Sequence, residues 1–381
     1  MLALSLPVWA QSLPTVAPSQ VRAVARRAHA GPVTPGPWAP TLTSPDWVDL
    51  FAAGPCSPSA AWPWATAYSP DGNFVYVALF GGYSPNGGCT VQKLDAVTLA
   101  PVSTLEVEES PEEIAFATDL AGNLSRIFVS NSSAHSVSVF DASETLIAHV
   151  PIPAAPGSWG AYPFGLAVSP DQSTVWVGTS DGRIHAIDAA SATRDDARTL
   201  DFGPDHGFAR MQFQGNQLIA CTTQYLPGFS GSVAKLTRVD PAQPGQAQSV
   251  ALASASGTGL FPSAQDLEID GNRIVVAGFD MGNQVYVIDG LTFTVANTWN
   301  TGLQPAVGKY QAMGRVGRLL LVADYTSGGV ARIDMQTGGL VGLFNTQATG
   351  VGAIEITPAP DGSSVLFSLV GGDRLLRYQV H

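Results

Sequence analysis

Hydrophobic and polar positions recur along this chain in a short motif, apolar-x-x-apolar-Asp. It stands at Val91–Asp95 (VQKLD), Val137–Asp141 (VSVFD), Ile184–Asp188 (IHAID), Leu236–Asp240 (LTRVD), Val285–Asp289 (VYVID) and Val330–Asp334 (VARID), with a degenerate seventh copy at Leu375–Gln379 (LLRYQ). Successive copies end 45 to 52 residues apart. A period of that size, held along the chain, signals units that bury their faces only against one another.

A second string precedes each copy: Val75–Ala78 (VYVA), Ile127–Ser130 (IFVS), Val175–Gly178 (VWVG), Leu218–Cys221 (LIAC), Ile274–Ala277 (IVVA), Leu320–Ala323 (LLVA) and Val365–Ser368 (VLFS). Turn chemistry stands in front of these runs, as in Ser69-Pro70-Asp71-Gly72, Ser169-Pro170-Asp171-Gln172, Asp270-Gly271-Asn272 and Pro360-Asp361-Gly362. Pro and Asp-Gly at such positions mark hairpins. A further apolar run lies before each turn, for example Gly165–Val168, and another follows each Asp, for example Phe293–Trp299. Each unit therefore reads strand A, hairpin, strand B, loop, strand C, turn, strand D. Four antiparallel strands in such a unit make a propeller blade. Period-two alternation and crowded β-branched residues exclude helical repeats. Seven copies predict an all-β, seven-bladed β-propeller over residues 46–381. The seventh copy ends at strand C, so Trp47–Phe51 (WVDLF) is expected to supply its outer strand and close the ring.

Composition agrees with this reading. Hydrophobic residues make up 45% of the 381 residues and charged ones 13%, with 40 Gly and 28 Pro. That is core material cut by frequent turns, and poor material for helices. The net charge of −12 excludes a nucleic-acid partner and disfavours an anionic membrane surface, leaving acidity as a solubility feature.

The ends of the chain point to export. Residues 1–10 (MLALSLPVWA) read as the remnant of a secretory signal, with an apolar run and Val8 and Ala10 as the small residues before the cleavage point. Residues 11–45, rich in Pro, Ala, Ser and Thr, read as a disordered leader. No run reaches the ~20 apolar residues of a membrane span. The expected location is the periplasm or outside the cell, as a monomer. Cys56, leading into the first strand A, and Cys89, ending the long loop of blade 1, fall on one face of one blade. That predicts a Cys56–Cys89 disulfide, the alternative being two free thiols. Cys221, at the end of a strand B, is expected as a buried free thiol.

The SPDG turn, the V-Y-V strand and the I-D-x-x-T turn resemble YVTN-type β-propeller repeats, which are also similar to lactonase-type propellers and to the heavy chains of amine dehydrogenases. The resemblance covers roughly residues 45–381 and implies the fold. Such propellers include enzymes, electron-transfer subunits and binding scaffolds, so function rests on the site. No string here matches a catalytic motif of the lactonase-type propellers, and no CxxCH haem site supports a redox subunit.

The repeated carboxylates Asp95, Asp141, Asp188, Asp289 and Asp334 are read as turn formers, because they recur once per blade and do not converge. There is no HExxH, CxxC pair, phosphate loop or EF-hand loop, so neither a metal nor a cofactor is expected. Gly228-Phe229-Ser230-Gly231 lacks the strand-to-helix setting of a nucleophile elbow. The B-to-C interval is 10 to 12 residues in five blades but 17 in blade 1 and 19 in blade 4. The extra residues are Gly81–Gly88 and Gln224–Ser232, on the face where ligands are expected over the central channel. Polar residues assigned to that face are Glu112, Glu113, Asn131, His135, Asp205, Gln224, Tyr225, Asp280, Lys309, Tyr310, Gln311, Asp324 and Tyr325. Candidate catalytic residues are His206 as base, Arg210 as anion clamp and Asp266; His149 and His185, inside strands, are read as structural. Two functions compete. One is a binding or scaffold propeller recognising a small molecule or protein on the channel face. The other is a lactonase-like hydrolase or isomerase at the channel mouth.

Overall fold

Strands form where the repeat predicts them. The computed structural model describes residues 42, 45–51, 56, 60–82, 85, 87–303, 311–346 and 353–381. Among these, seven four-stranded antiparallel sheets stand in sequence order around a ring. Their inner strands A are Pro63–Tyr68, Pro111–Thr118, Pro163–Val168, His206–Gln214, Ser263–Asp270, Gln311–Val316 and Glu355–Pro358. The seventh sheet takes its outer strand from the N-terminal side, with Trp47 opposite Leu376 and Val48 opposite Leu375. That strand runs Asp46–Asp49 rather than through Phe51, and Arg374 and Arg377 pin it by ion pairs to Asp49 and Asp46. The ring is therefore closed by hydrogen bonds, leaving no first or last blade edge open.

Burial explains why strands B look uniformly apolar. Thr174–Thr179 and Ser364–Leu369 are buried at every position, because both faces of each sheet pack on a neighbouring blade. The core consequently divides into clusters at the blade junctions. One joins Phe128 and Val137 of blade 2 to Val175 and Val177 of blade 3; another joins Val77 and Leu94 of blade 1 to Leu366 and Leu375 of blade 7. Outer strands such as Thr294–Asn300 face solvent at most positions.

Polar clasps reinforce the junctions. Arg126 donates to the Ala190 carbonyl, Arg238 to Gly290, Arg273 to Met335, and Arg377 to Ala96 and Val97. Each guanidinium thus reaches the C–D turn of the next blade, one or two residues beyond its Asp. Those Asp residues do turn work: Asp95 accepts the Val97 and Thr98 amides, Asp188 those of Ala190 and Ser191, Asp289 those of Leu291 and Thr292. Hydrogen bonds within the turns hold Asp95, Asp141, Asp188 and Asp289 below the usual carboxylate range.

One expectation is corrected, two are met and two fall outside the described residues. The extra residues of blade 4 do not form a long loop. Strands B and C there lengthen to Gln217–Tyr225 and Gly231–Val239, each of 9 residues, and only a short 3₁₀ turn at Pro227–Phe229 joins them. Ladder hydrogen bonds capture the insertion, with Tyr225 opposite Ser232. The Cys56–Cys89 disulfide is present, with Cα atoms 5.7 Å apart, and Cys221 is a buried free thiol. The signal remnant 1–10 and the leader 11–45 lie outside the described residues except for Pro45 and Leu42, which forms a bridge to Val380. No helix among the described residues is long and apolar enough to cross a membrane.

Candidate functional site

The register of strands A against strands B defines levels along the channel. Glu113 pairs with Ser130, Asp266 with Ala277, Ala312 with Ala323 and Glu355 with Ser368, each opposite the last position of the short apolar run in strand B. Ala65, Gly165 and Arg210 occupy the same level in blades 1, 3 and 4, one residue before Thr66, Leu166 and Met211, which pair with Val77, Val177 and Ala220. One layer of the channel is therefore Ala, Glu, Gly, Arg, Asp, Ala, Glu. Bulges create it: register shifts fall between Pro111 and Glu113, Phe208 and Met211, and Ala264 and Asp266, turning these side chains relative to regular alternation.

Gly165 is required by contact, since a Cβ there would meet the Ala209 carbonyl oxygen at 1.9 Å. Arg210 extends across the ring. Its Nη1 donates to Glu113 Oε1 and Oε2 at 3.1 and 3.0 Å, and its Nη2 donates to Glu355 Oε1 at 2.9 Å. Its Nε lies 3.7 Å from Asp266 Oδ1. Blades 4 and 7 face one another across a seven-membered ring, so one guanidinium bolts the channel at this level.

Among the described residues charge does not balance there: three carboxylates surround one cation in a site largely shielded from water. Burial raises the pKa of Glu113, Asp266 and Glu355, with Arg210 pulling the other way. Burial opposes the charge on Arg210, but Glu113, Glu355 and Asp266 together outweigh it and keep the guanidinium firmly protonated. Asp266 is the best satisfied acid, accepting the Leu267 and Met313 amides at 2.9 and 2.7 Å. Two residues on, Glu268 is pushed up to about 7, first by burial and then by Asp266. Among the described residues no group of three or more His, Cys, Asp or Glu is placed to hold a metal ion.

Of the candidates from sequence, Arg210, Glu113 and Asp266 come together in this layer. His206 does not join their hydrogen bonds: its Nδ1 lies 2.9 Å from Asp205 Oδ1, and the other oxygen of Asp205 accepts Gln224 Nε2 at 2.9 Å. Tyr225 packs against Phe229 beside this pair. Elsewhere on the face, His135 accepts the Tyr162 amide through Nδ1 at 3.1 Å and meets the Tyr162 ring edge-on, and burial lowers its pKa. Asn131 is fully buried between the Ser136 and Ser138 hydroxyls, and Glu112 is buried at its bulge. Asp280 accepts the Phe261 amide at 3.1 Å, and Asp324 accepts the Thr326 amide and the Ser327 hydroxyl, so both brace loops. Tyr325 is half-buried, which raises its pKa. The Gln311 backbone pairs with Asp324. Lys309 and Tyr310 lie outside the described residues. His149 and His185 sit in strands, and burial lowers His185 to about 4.

Sequence reasoning missed Glu355 and Glu268. The signal was available in principle, because both occupy strands A, but bulges present in five inner strands and absent from those of blades 6 and 7 hide which positions share a level.

No protein-family model and no curated protein matches the sequence. Among solved structures, the chain is similar to Kuenenia stuttgartiensis hydrazine synthase, with a TM-score of 0.63 and 18% identity over 84% of this chain and 96% of that one. At that identity the likeness concerns the fold.

Proposed function

We propose that this protein is an exported β-propeller that binds a small molecule or a protein partner on the face carrying the B–C loops, acting as a monomer in the periplasm or outside the cell. The observation that supports it most is the elaboration of that face in blades 1 and 4. Blade 1 carries the insertion ending at Gly88, tied by the Cys56–Cys89 bridge, and blade 4 carries strands lengthened to Tyr225 and from Gly231. The blade 4 extension is paired strand rather than slack loop, which lowers the ordering cost of recognition. The channel layer beneath favours binding over catalysis, since the Arg210 donors point at Glu113, Glu355 and Asp266 and are not offered to an anionic substrate.

The test is a thermal-shift panel of sugars, peptides and amines on the wild type and on a variant with Leu226–Ser230 shortened to a two-residue turn. A ligand whose shift disappears in the variant supports the reading; shifts that survive the shortening place recognition elsewhere. A second reading, a lactonase-like hydrolase, is favoured by one feature: the imidazole of His206 is oriented by Asp205 in the manner of a general base. Lactone turnover by the wild type that His206→Ala abolishes would select it.

A further inference from the structure

The face opposite the B–C loops carries a groove of about 380 Å³. It is framed by the A–B hairpins of blades 5 and 6 and the C–D turn of blade 6, and Arg273, Arg315 and Arg318 line it together with Asp270 and Met335. Three of the chain's 18 Lys and Arg residues thus converge in one hollow of a protein whose net charge is −12.

The three guanidinium groups are not equivalent. Arg318 is engaged side-on by Asp334, each carboxylate oxygen taking one donor at 2.5 Å. Arg315 donates Nη1 to Asp270 at 2.8 Å and Nε to the Gly317 carbonyl at 2.7 Å. Arg273 donates Nη1 to the Met335 carbonyl, and its guanidinium carbon lies 5.7 Å from the Trp299 ring centroid. That carbonyl and that ring fix the plane of Arg273 while leaving its Nε and Nη2 without a partner among the described residues. These two atoms form the edge of a guanidinium that matches a carboxylate with two parallel hydrogen bonds. Arg315 Nη2 is likewise without a partner among the described residues. Asp270 and Asp334 offset two of the three positive charges, so the groove is left with one.

We propose that this groove binds one carboxylate of a small organic acid, gripped by the Nε and Nη2 edge of Arg273 and capped by Nη2 of Arg315. The matching geometry is planar and the unbalanced charge is single, which selects a carboxylate over a doubly charged phosphate. The groove holds ligand by donors whose orientation is already set, so little ordering is needed on binding. It lies on the other face from the B–C loops and stands or falls independently of that site.

The experiment titrates the full chain with sodium acetate and with succinate against sodium chloride at constant ionic strength, following the thermal midpoint, with inorganic phosphate as a parallel arm. Acetate and succinate are expected to raise the midpoint above chloride, as any ligand of the folded state must. Arg273→Gln is expected to weaken this at least about tenfold through loss of a charge-assisted pair, and Arg273→Lys, which keeps the charge and loses the fork, to weaken it similarly. Because Arg273 also clasps blade 6, Arg315→Gln is measured beside it as a variant that leaves that clasp intact, and it too should weaken binding. No effect of acetate beyond chloride, equal binding by all three variants, or tighter binding of phosphate than of acetate each overturns the proposal.

Discussion

Replacing Arg210 by Met tests the account of the channel layer most severely. The substitution keeps an unbranched side chain of similar length and removes the only cation that faces Glu113, Asp266 and Glu355 among the described residues. Removing one partner of a buried ion pair costs about 3–5 kcal/mol, because the remaining charge is left desolvated. Here three carboxylates are stranded, but they escape part of that cost by taking up protons. Their folded-state pKa values, already raised by burial, rise further without the guanidinium. The folded state then binds more protons than the unfolded chain above the ordinary carboxylate range, so stability falls as pH rises through that range. The Arg210→Met variant should lose about 3–5 kcal/mol at pH 8 and clearly less at pH 5. Urea unfolding followed by tryptophan fluorescence measures both. Glu113→Gln is the control: it removes surplus negative charge and keeps a hydrogen-bonding side chain, so it should cost far less than Arg210→Met. A loss below about 1 kcal/mol at pH 8, or one equal at both pH values, would refute the bolt.

Further expectations follow from single contacts. Glu268, raised to about 7, holds a proton in the folded state that the unfolded chain gives up near its ordinary value. The wild type should therefore lose stability as pH rises from about 4.5 to 7, and Glu268→Gln should flatten that slope and gain up to about 3 kcal/mol at pH 8 in the same urea assay. Changing Cys56 and Cys89 to Ser opens a loop with a sequence separation of 33 and should cost about 2–4 kcal/mol; an equal midpoint for the reduced wild type and the variant would check it. Gly165→Ala drives a Cβ against the Ala209 carbonyl and should lower the thermal midpoint by the equivalent of about 1–3 kcal/mol or more, whereas Gly122→Ala, with open space around it, should act only through its φ of 83°.

How much of this was legible in the chain depends on the range of the interaction. The turns after Asp95, Asp188 and Asp289 are made by residues two or three positions apart, so their chemistry is written locally and reads correctly. The Cys56–Cys89 bridge was within reach for the same reason, since one blade holds both ends. The blade 4 insertion reads as a loop in the sequence because apolar and polar positions there alternate no differently from a loop rich in small residues; the neighbouring strand Gln248–Ser256, pairing with it, makes it sheet.

The repeat by itself determined the number of blades, the antiparallel order within each and the N-terminal strand that closes the ring. Those features need only period-two alternation and turn residues, which each unit carries in its own forty-odd positions. Only the tertiary structure decided what fills the channel. Arg210 meets Glu113 across 97 residues of chain and Glu355 across 145, and bulges in the inner strands bring them to one level. The same holds for the groove on the far face, where hairpins of two blades and a turn bring three arginines together. Closing a ring makes neighbours of residues far apart in sequence, and the register that aligns them is set by strand pairing rather than by spacing along the chain.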